Sequence, residues 1–278
     1  MRPQCRSRFV MEVNMQLAVM SFNIRCASAP DGEHAWSQRK GLVVERIRAF
    51  DPDLLGLQEC RDDEQAEYVR AALPDYEFVG VQRGGDGDPA VEMAPLLYRR
   101  AAFEELARGH FWLADEPDTP GRQSWGAAYP RTASWVRLAP RDGSGRRLTF
   151  LNTHFDYEGT SREESARLLR DRVQALPQDE GVVVTGDFNA ERDSVTFREL
   201  TAGSALREVL QEAGAAVGTY HDYGRAPVRE AIDWILASPQ FRTVAAGADT
   251  WHSGRLYPSD HFPVTARLAF SRPGAELV

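Results

Sequence analysis

Short apolar runs recur along the whole chain, and most are rich in the β-branched and aromatic residues that strands favour. Polar segments containing Gly, Pro, Asp or Ser separate them. The pattern predicts strands at 16–24, 52–58, 76–82, 94–99, 132–139, 147–155, 181–188, 231–237 and 262–270. The protein is therefore predicted to contain extensive β-sheet.

Two segments repeat their apolar residues with the helical period instead. The first predicted helix covers 37–50 and ends before Pro52. The second covers 161–176, with Ser161 as its N-terminal cap and an acidic residue three positions later. The apolar faces consist of Leu42, Val43, Ile47 and Phe50 in the first helix and of Leu168, Leu169, Val173 and Leu176 in the second. Helices between only some of the strands predict one α/β domain whose sheets are partly antiparallel.

Three segments are predicted to be loops. The stretch "PRDGSGRRL" at 140–148 is typical of a hairpin loop between two strands. The segments 82–90 and 115–130 are longer than ordinary connections, and long ordered loops tend to carry function.

Composition narrows the class of protein. Hydrophobic residues make up 42% and charged residues 27% of the 278 residues, which are ordinary globular values. No apolar run approaches the roughly 20 residues that a membrane-spanning helix needs. The net charge of −8 argues against non-specific wrapping of nucleic acid, although a nuclease with several carboxylates around a cation would also be acidic. The scattered Cys5, Cys26 and Cys60 lack metal-ligand spacing and favour a reducing cytoplasm.

The chain ends are predicted to lie outside the folded domain. Residues 1–15 carry positive charge with no apolar stretch after it, so they are interpreted as a disordered extension rather than a secretory signal. No linker composition interrupts 16–272, which is predicted to be a single domain, and 273–278 are predicted to be a C-terminal tail.

Polar side chains stand at the ends of two long apolar runs. The run "VVVTGDFNA" ends in Asp187 and Asn189, and in an extended chain residues two apart project the same way. The run "LTFLNTHFD" ends similarly, in Asn152, His154 and Asp156. An acid and an amide at a strand end are suited to holding a water molecule and a phosphate oxygen.

Further polar residues accompany other strands. Glu59 follows "LLGLQ", Asn23 ends "MSFN", and Asp233 lies between apolar residues in "AIDWIL". Because a buried carboxylate is costly unless it is paired, Asp233 is predicted to have a partner. The stretch "YPSDHFPV" adds the adjacent Asp260 and His261 between two prolines.

Each of these positions has an ordinary structural explanation when it is taken alone. An Asx turn can end a strand, a lone His is more often structural than catalytic, and a carboxylate at a strand end is commonly solvated. Such explanations would have to hold at six places at once. Their joint occurrence therefore favours a hydrolytic site.

The same stretches resemble the endonuclease/exonuclease/phosphatase superfamily, which includes deoxyribonucleases, deadenylase- and nocturnin-type exonucleases, and inositol polyphosphate phosphatases. The matching motifs occur in the family's order: "SFNIR", "LGLQE", "NTHFD", "GDFN", "IDWIL" and "SDHFPV". The stretches "WSQRK", "VEMAPLLYRR", "GHFWLADEP" and "YPRTASW" are similar to a bacterial subgroup near the deadenylase type. The resemblance extends from about Leu17 to Phe270.

The resemblance implies a fold, a cofactor and a reaction. The fold would be a four-layer α/β sandwich, with two mixed β-sheets face to face and helices outside, and the active site would lie at one edge, where strand ends converge. The reaction would be in-line attack of water on a phosphoester. The cofactor would be Mg²⁺, with Mn²⁺ able to substitute, because Mg²⁺ takes oxygen ligands and keeps waters that a phosphate can displace.

The family's metal-binding and water-activating roles carry over to five positions. Glu59 would be the main ligand of the cation, assisted by Asn23 and Asp260. Asp187 would orient or deprotonate the attacking water, and Asn189 would bind a phosphate oxygen. One metal ion or two would both agree with this set.

Two histidines and their supporting acids complete the implied site. His154 and His261 would donate hydrogen bonds to the non-bridging oxygens of the transition state. Asp233 would hold His261 in one tautomer, and Glu92 would do the same for His154.

Two loop residues are candidates for substrate binding. Arg131 could clamp a phosphate, and His221 lies where the bacterial subgroup tends to have an aromatic–His pair. Tyr129 could stack on a base or a sugar. Solvated loop positions are the alternative for Arg131 and His221.

Several functions remain open from the sequence. The one that the sequence favours most is a nuclease or phosphodiesterase, whose substrate would be single-stranded nucleic acid, a nucleotide or another phosphoester. The second is a phosphomonoesterase or phospholipid-type phosphatase with the same fold, and the third is a catalytically inactive binding module. The protein is expected to be a cytoplasmic monomer without stable membrane association.

Overall fold

The computed structural model describes residues 16–85, 91–215 and 217–271. The extension predicted for 1–15 and the tail predicted for 273–278 lie outside the described residues. The strands are β1 Gln16–Asn23, β2 Leu54–Gln58, β3 Cys60–Arg61, β4 Tyr76–Val79, β5 Glu92–Met93, β6 Leu96–Arg99, β7 Phe103–Trp112, β8 Thr132–Pro140, β9 Leu148–His154, β10 Gly181–Asp187, β11 Arg207–Glu208, β12 Asp233–Ala237, β13 Phe241–Ala248 and β14 Val264–Phe270. The α-helices are α1 Trp36–Phe50, α2 Glu64–Ala72, α3 Gly159–Gln174, α4 Val195–Thr201 and α5 Val209–Glu212.

Of these fourteen strands, β3 and β5 pair with each other in a separate two-stranded sheet, and the other twelve form two six-stranded mixed sheets. The first has the order β13-β14-β1-β2-β6-β4, and the second has the order β11-β12-β10-β9-β8-β7. Each sheet contains one parallel pair, β1 with β2 and β9 with β10, and its other neighbours are antiparallel. The β1–α1–β2 and β9–α3–β10 segments are therefore crossover units, one in each sheet.

Alternation along the strands separates the two faces of each sheet. In β1, Leu17 and Val19 belong to the core cluster that also contains Phe150 and Val183 of the second sheet. The alternate residues of β1, which include Met20, join α1 and α2 in a second apolar cluster on the outside. Residues of α3 and α4 pack with the second sheet. The four-layer α/β sandwich is therefore confirmed.

A polar contact lies inside the otherwise apolar space between the sheets. The Asn152 side chain in β9 donates to the carbonyl oxygens of Leu57 (2.7 Å) and Pro95 (2.8 Å). Its Oδ1 accepts hydrogen bonds from Gln58 Nε2 (2.7 Å) and Thr185 Oγ1 (2.9 Å). Because a buried amide is costly unless its hydrogen bonds are made, this arrangement favours one relative position of the two sheets. Asn152 belongs to the polar pattern at the end of its strand, but its side chain connects the two sheets and is not part of the active site.

Every predicted strand overlaps an observed strand, and the loops at 115–130 and between β8 and β9 are confirmed. Two long strands, β7 and β13, were not predicted, because half-exposed polar, Ala and Gly residues interrupt their apolar pattern. Three helices, α2, α4 and α5, were not predicted either, since they span only four to nine residues and show too few repeats of the helical period. None of the helices in the described ranges has the length and apolar character needed to cross a membrane.

The predicted start of α3 was wrong. The helix begins at Gly159, with Glu158 at the cap position, and Ser161 is buried in its first turn. The chain turns earlier because Asp156, directly after β9, accepts a hydrogen bond from the backbone nitrogen of Glu158 (3.0 Å).

Replacement of Gly56 by Ala tests the close approach of the sheets. A Cβ atom at this position of β2 would overlap the side chains of Thr185 and Asn152. We expect Gly56→Ala to lower the free energy of unfolding by about 1–3 kcal/mol or more, as overpacking does. The measurement is urea denaturation followed by circular dichroism.

The matched control is Gly41→Ala in α1. Gly41 is exposed and a Cβ atom there would meet no neighbour, so this variant should gain about 0.5–1 kcal/mol from helix propensity. Equal stability of the two variants would contradict the inferred contact between the sheets.

Candidate active site

One row of residues crosses the second sheet at its edge. Asp187, the last residue of β10, is paired with His154 of the parallel strand β9 and with Asp233 of the antiparallel strand β12. Residues paired in this way place their side chains on the same face. All three side chains are buried. The row therefore brings two acids and an imidazole together from distant parts of the sequence.

The first sheet contributes an amide and a third acid. Asn23 ends β1, and its Nδ2 donates to Glu59 Oε1 (3.0 Å) and to Asp187 Oδ2 (2.9 Å). Glu59 follows β2 and has a φ of 58°, in the left-handed region that non-glycine residues rarely adopt. The carboxyl ends of the parallel strands in both sheets thus converge on one amide.

The Glu59 carboxylate is ionised at neutral pH. Burial alone would raise its pKa, but the hydrogen bond from Asn23 and the charge of Arg25 lower the pKa below its ordinary value. The backbone nitrogen of Cys26 also donates to Glu59 Oε2 (3.0 Å), and Arg25 Nη1 lies 3.8 Å from the same oxygen. Glu59 therefore offers a fixed negative charge at the edge of both sheets.

Asp187 has the opposite electrostatic character. Its burial, together with the charge of Asp233, raises the pKa of Asp187 to about 7. Its Oδ2 lies 3.6 Å from His154 Nε2 and 3.9 Å from His261 Nε2, and its Oδ1 accepts from the backbone nitrogen of Asn189 (2.9 Å). A carboxylate with a pKa near 7 can accept a proton at physiological pH.

His261 is held in one orientation by Asp233. The ring Nδ1 lies 2.8 Å from Asp233 Oδ2, and both side chains are buried. Although burial lowers the pKa of His261, the neighbouring charge and hydrogen bond of Asp233 outweigh it, so the pKa lies well above its ordinary value. The predicted partner of Asp233 is thus His261, and the imidazole Nε2 points toward Asp187.

His154 is neutral in this environment. Burial, followed by the charges of Arg131 and Arg83, places its pKa well below the ordinary value. The Asn189 side chain, on a residue with a φ of 49°, donates to His154 Nε2 (3.2 Å) and to the Phe155 carbonyl (3.0 Å). Because an amide nitrogen can only donate, His154 Nε2 is the acceptor in this arrangement.

Asp260 lies next to Arg25, the same guanidinium that approaches the Glu59 carboxylate. Its Oδ2 is 3.6 Å from Arg25 Nε, and its Oδ1 accepts from Ser259 Oγ (3.2 Å). The Ser259 hydroxyl also donates to the Asn23 carbonyl (2.6 Å), which ties the His261 loop to β1.

Two groups in the described ranges could hold a metal ion, and they share Asp187. In the first, ligand atoms of Glu59, His154 and Asp187 lie within 4.8 Å of one another, and in the second the same holds for Asp187, Asp233 and His261. The second group is already joined by the Asp233–His261 hydrogen bond. The first presents two carboxylates to the pocket, and oxygen ligands of this kind fit a hard divalent cation.

The predicted ligands occupy different places around this group. Glu59 is part of it, whereas Asn23 turns its NH₂ and not its oxygen toward the carboxylates. Asp260 faces Arg25. Asp187, predicted to act on water, belongs to both groups.

A pocket of about 410 Å³ opens over these side chains. Its lining includes the predicted residues Glu59, Glu92, Arg131, His154, Asp187, Asn189, Asp260 and His261. It also includes residues that the sequence did not assign to the site, namely Arg25, Arg83, Tyr157 and Tyr220, and Tyr129, which was given a stacking role only.

Two predicted residues have other partners. The Glu92 carboxylate forms a two-pronged ion pair with Arg83 (2.8 and 3.1 Å), so its described contacts are with that guanidinium and not with His154. His221 is buried, accepts a hydrogen bond from Gly224 and stacks on Phe262 at 3.9 Å between ring centroids. It is not among the residues that line the pocket.

Known proteins resemble the chain over most of its length. The model of the Endonuclease/Exonuclease/phosphatase family matches residues 20–261. The structure of an endonuclease/exonuclease/phosphatase from Bacteroides vulgatus is 32% identical with a TM-score of 0.86, covering 92% of this chain and all of that one. A mannosyl-6-phosphatase from Bacteroides thetaiotaomicron is 31% identical with a TM-score of 0.83, covering 91% of this chain and all of that one.

Similarity to curated sequences is lower. An uncharacterized protein of Acanthamoeba polyphaga mimivirus is 26% identical over 175 residues, and the match spans 60% of this chain and 63% of that protein. The human nocturnin catalytic domain with bound sulfate has a TM-score of 0.73 at 22% identity, over 92% of this chain and 95% of that one. At this identity the nocturnin structure supports the fold alone.

Replacement of Glu59 by Gln tests the candidate cation site. The neutral amide keeps the size of the side chain but removes one of the two carboxylates of the Glu59–His154–Asp187 group. We expect the dissociation constant for Mg²⁺ to rise at least ~10-fold, as it does when metal sites lose a polar partner. The measurement is isothermal titration calorimetry on protein stripped of metal.

Glu64→Gln is the matched control, since Glu64 is exposed on α2 and should leave the dissociation constant unchanged. Unaltered Mg²⁺ affinity in Glu59→Gln, with an unfolding midpoint like that of the parent, would show that the cation binds elsewhere.

Proposed function

The chain belongs to the endonuclease/exonuclease/phosphatase family, whose members hydrolyse phosphoester bonds, and we propose that it is a Mg²⁺-dependent phosphatase of small phosphomonoesters. The observation that carries the proposal is the size and composition of the pocket. A volume of about 410 Å³ suits a single small ligand, and the lining includes Glu59, Asp187, His154 and His261.

The long loop at 115–130 supports a small substrate. Its last residues are fastened to the sheet edge, because the buried Asp156 carboxylate accepts hydrogen bonds from the backbone nitrogens of Ala128 (3.3 Å) and Tyr129 (3.2 Å). The Tyr129 side chain then forms part of the pocket lining. A polymer would need an open groove, whereas this loop contributes a wall.

The similarity to the Bacteroides thetaiotaomicron protein agrees with this choice. That protein is a mannosyl-6-phosphatase, which acts on a phosphomonoester, and the match covers its whole length at 31% identity.

Asp187 is proposed to accept a proton from the attacking water. With a pKa of about 7, it is increasingly ionised as the pH rises through neutrality and can act as a general base. Its two oxygens are held by Asn23 and by the backbone of Asn189, so the carboxylate has a fixed direction. A cation held at Glu59 would supply positive charge to the phosphate oxygens and lower the pKa of bound water.

His261 is proposed to stabilise the charge that develops on the phosphoryl oxygens. Its raised pKa keeps the ring protonated, and Asp233 occupies Nδ1, so Nε2–H is the donor that faces the pocket. The Asn189 amide can donate to a second oxygen once it leaves His154. The full set of acid, base and donor groups favours an active enzyme over an inactive binding module.

A nuclease or phosphodiesterase is the second candidate. The three exposed tyrosines of the pocket favour it, since bases stack on aromatic side chains. The net charge of −8 speaks against strong binding of a polyanion. Little supports a phospholipid-type substrate. Ile232 is the single aliphatic residue among the described residues that line the pocket, so the pocket offers little apolar surface to an acyl chain.

We also propose that the enzyme acts in the cytoplasm as a monomer. Within the described residues Cys26 and Cys60 are free thiols, which agrees with a reducing compartment.

Replacement of Asp187 by Asn tests the proposed base. The amide cannot accept the proton, so we expect the turnover number for a phosphomonoester in Mg²⁺ to fall at least ~100-fold. The control is Asp193→Asn, whose side chain is exposed outside the pocket. Turnover by Asp187→Asn within a few-fold of the parent would refute the assignment.

A substrate comparison separates the two candidate functions. We expect the ratio kcat/KM for an alkyl phosphomonoester to exceed that for a phosphodiester and for a single-stranded oligonucleotide by at least ~10-fold, because the pocket admits one small ligand. Faster cleavage of the oligonucleotide would favour the nuclease. Absence of turnover on all three substrates in Mg²⁺ and in Mn²⁺ would contradict both.

A further inference from the structure

The pocket lining contains an unusual concentration of exposed aromatic surface. Tyr129 is 45%, Tyr157 is 51% and Tyr220 is 41% exposed, and these three are the aromatic members among the exposed large hydrophobic residues of the described chain. All three line the pocket above the proposed catalytic groups. Aromatic faces left open to solvent inside a pocket indicate a ligand that packs on them.

The tyrosines occupy two parts of the lining. Tyr129 and Tyr157 contact each other edge to face, with ring centroids 6.5 Å apart. Tyr220 lies beside His261, with ring centroids 5.1 Å apart. Arg83 lies over the Tyr129 ring, 4.6 Å from its centroid, at a distance typical of a cation–π contact.

Hydrogen-bond donors and hydrogen-bond acceptors both lie in the same lining as the tyrosine rings. The Arg83–Glu92 ion pair lines the same pocket and presents guanidinium donors beside carboxylate acceptors. A ligand with several hydroxyl groups can use both, because a hydroxyl donates and accepts. An acyl chain fits this lining poorly, because Ile232 is the single aliphatic side chain among the described lining residues.

A single buried carboxylate organises the Tyr129–Tyr157 part of this lining. Asp156 is fully buried and accepts hydrogen bonds from the backbone nitrogens of Ala128, Tyr129 and Glu158 and from Arg131 Nε (3.0–3.3 Å). Its neighbour in the chain is Tyr157. The carboxylate therefore fixes the backbone on both sides of the tyrosine pair.

Asp156 does not itself line the pocket, so it touches neither the proposed reaction centre nor a ligand there. The groups that hydrogen-bond to Asp156 belong to the lining or to the segments that carry it.

We propose that Tyr129, Tyr157 and Tyr220, together with the Arg83–Glu92 pair, form a subsite for the leaving group of the substrate. The ligand is a sugar ring, whose C–H faces pack on the tyrosines and whose hydroxyls bind the ion pair. Asp156 is the positioning residue of this subsite. The inference rests on the proposed phosphatase function and adds the substrate class to it.

The test compares a hexose 6-phosphate with methyl phosphate, which has an alkyl leaving group but no ring. For the parent enzyme we expect kcat/KM to be at least ~10-fold higher on the hexose phosphate. Tyr157→Ala and Tyr129→Ala should each lower this preference at least ~10-fold, mainly through KM, which corresponds to about 1.4 kcal/mol. Tyr129→Phe keeps the ring and should retain most of the preference.

Asp156→Asn should also lower the preference through KM, because it removes the charge that holds Arg131 and the Tyr129 backbone. If Asp156→Asn does not fold, Tyr157→Ala still decides the question, since that side chain is exposed. Val244→Ala, an exposed position on β13 outside the pocket, is the control and should change neither substrate.

The possible outcomes separate this inference from the proposed function. Equal kcat/KM on both phosphates, or an equal loss on both in the Tyr→Ala variants, would overturn the sugar subsite and leave the phosphatase intact. A preference of more than ~10-fold for a nucleoside 5′-monophosphate over the hexose phosphate would also overturn it, because the tyrosines would then bind a base. Absence of turnover on every monoester would instead remove the proposed function.

Discussion

The candidate active site depends on one amide that joins two sheets. Asn23 ends a strand of the first sheet and donates both to Glu59 and to Asp187, which ends a strand of the second. Two carboxylates brought together away from bulk water repel each other, and each loses hydration. The shared NH₂ group offsets part of that cost, and a cation would offset more. The relative position of the sheets is therefore a condition of the chemistry, and the Asn152 contacts between the sheets help to maintain it.

The two crossover units explain why this edge, and not the opposite one, carries the site. Parallel strands end at the same edge, and in both sheets the parallel pair contributes its carboxyl ends: Asn23 and Glu59 from one, His154 and Asp187 from the other. Antiparallel neighbours then add Asp233 and, through the loop before β14, His261. The arrangement resembles the general rule that open α/β sheets bind ligands at the carboxyl ends of their strands.

The sequence predicts the fold class and the polar strand ends well, because strand alternation and terminal polar residues are local signals. Glu59, Asp187, His154 and His261 line one pocket as their motifs suggest. The environment of each residue is not local. The pairing of Glu92 with Arg83, the burial of His221 against Phe262 and the amide orientation of Asn23 depend on loops that meet only in the folded chain. Tyr157 and Tyr220 carry no signal that distinguishes them from solvated loop residues, whereas Arg25, two positions after Asn23 within "SFNIR", could have been considered from its motif alone.

Three residues of the pocket lining combine a functional side chain with an unfavourable backbone. Arg25, Glu59 and Asn189 all have positive φ angles, where glycine would be the easier choice. Each position thus retains a side chain at the expense of local conformational energy. The backbone strain at this edge lowers the stability of the folded protein, and only the loss of the functional side chains would remove it. Selection for heat tolerance alone would favour glycine at these positions and would remove the side chains on which the site depends.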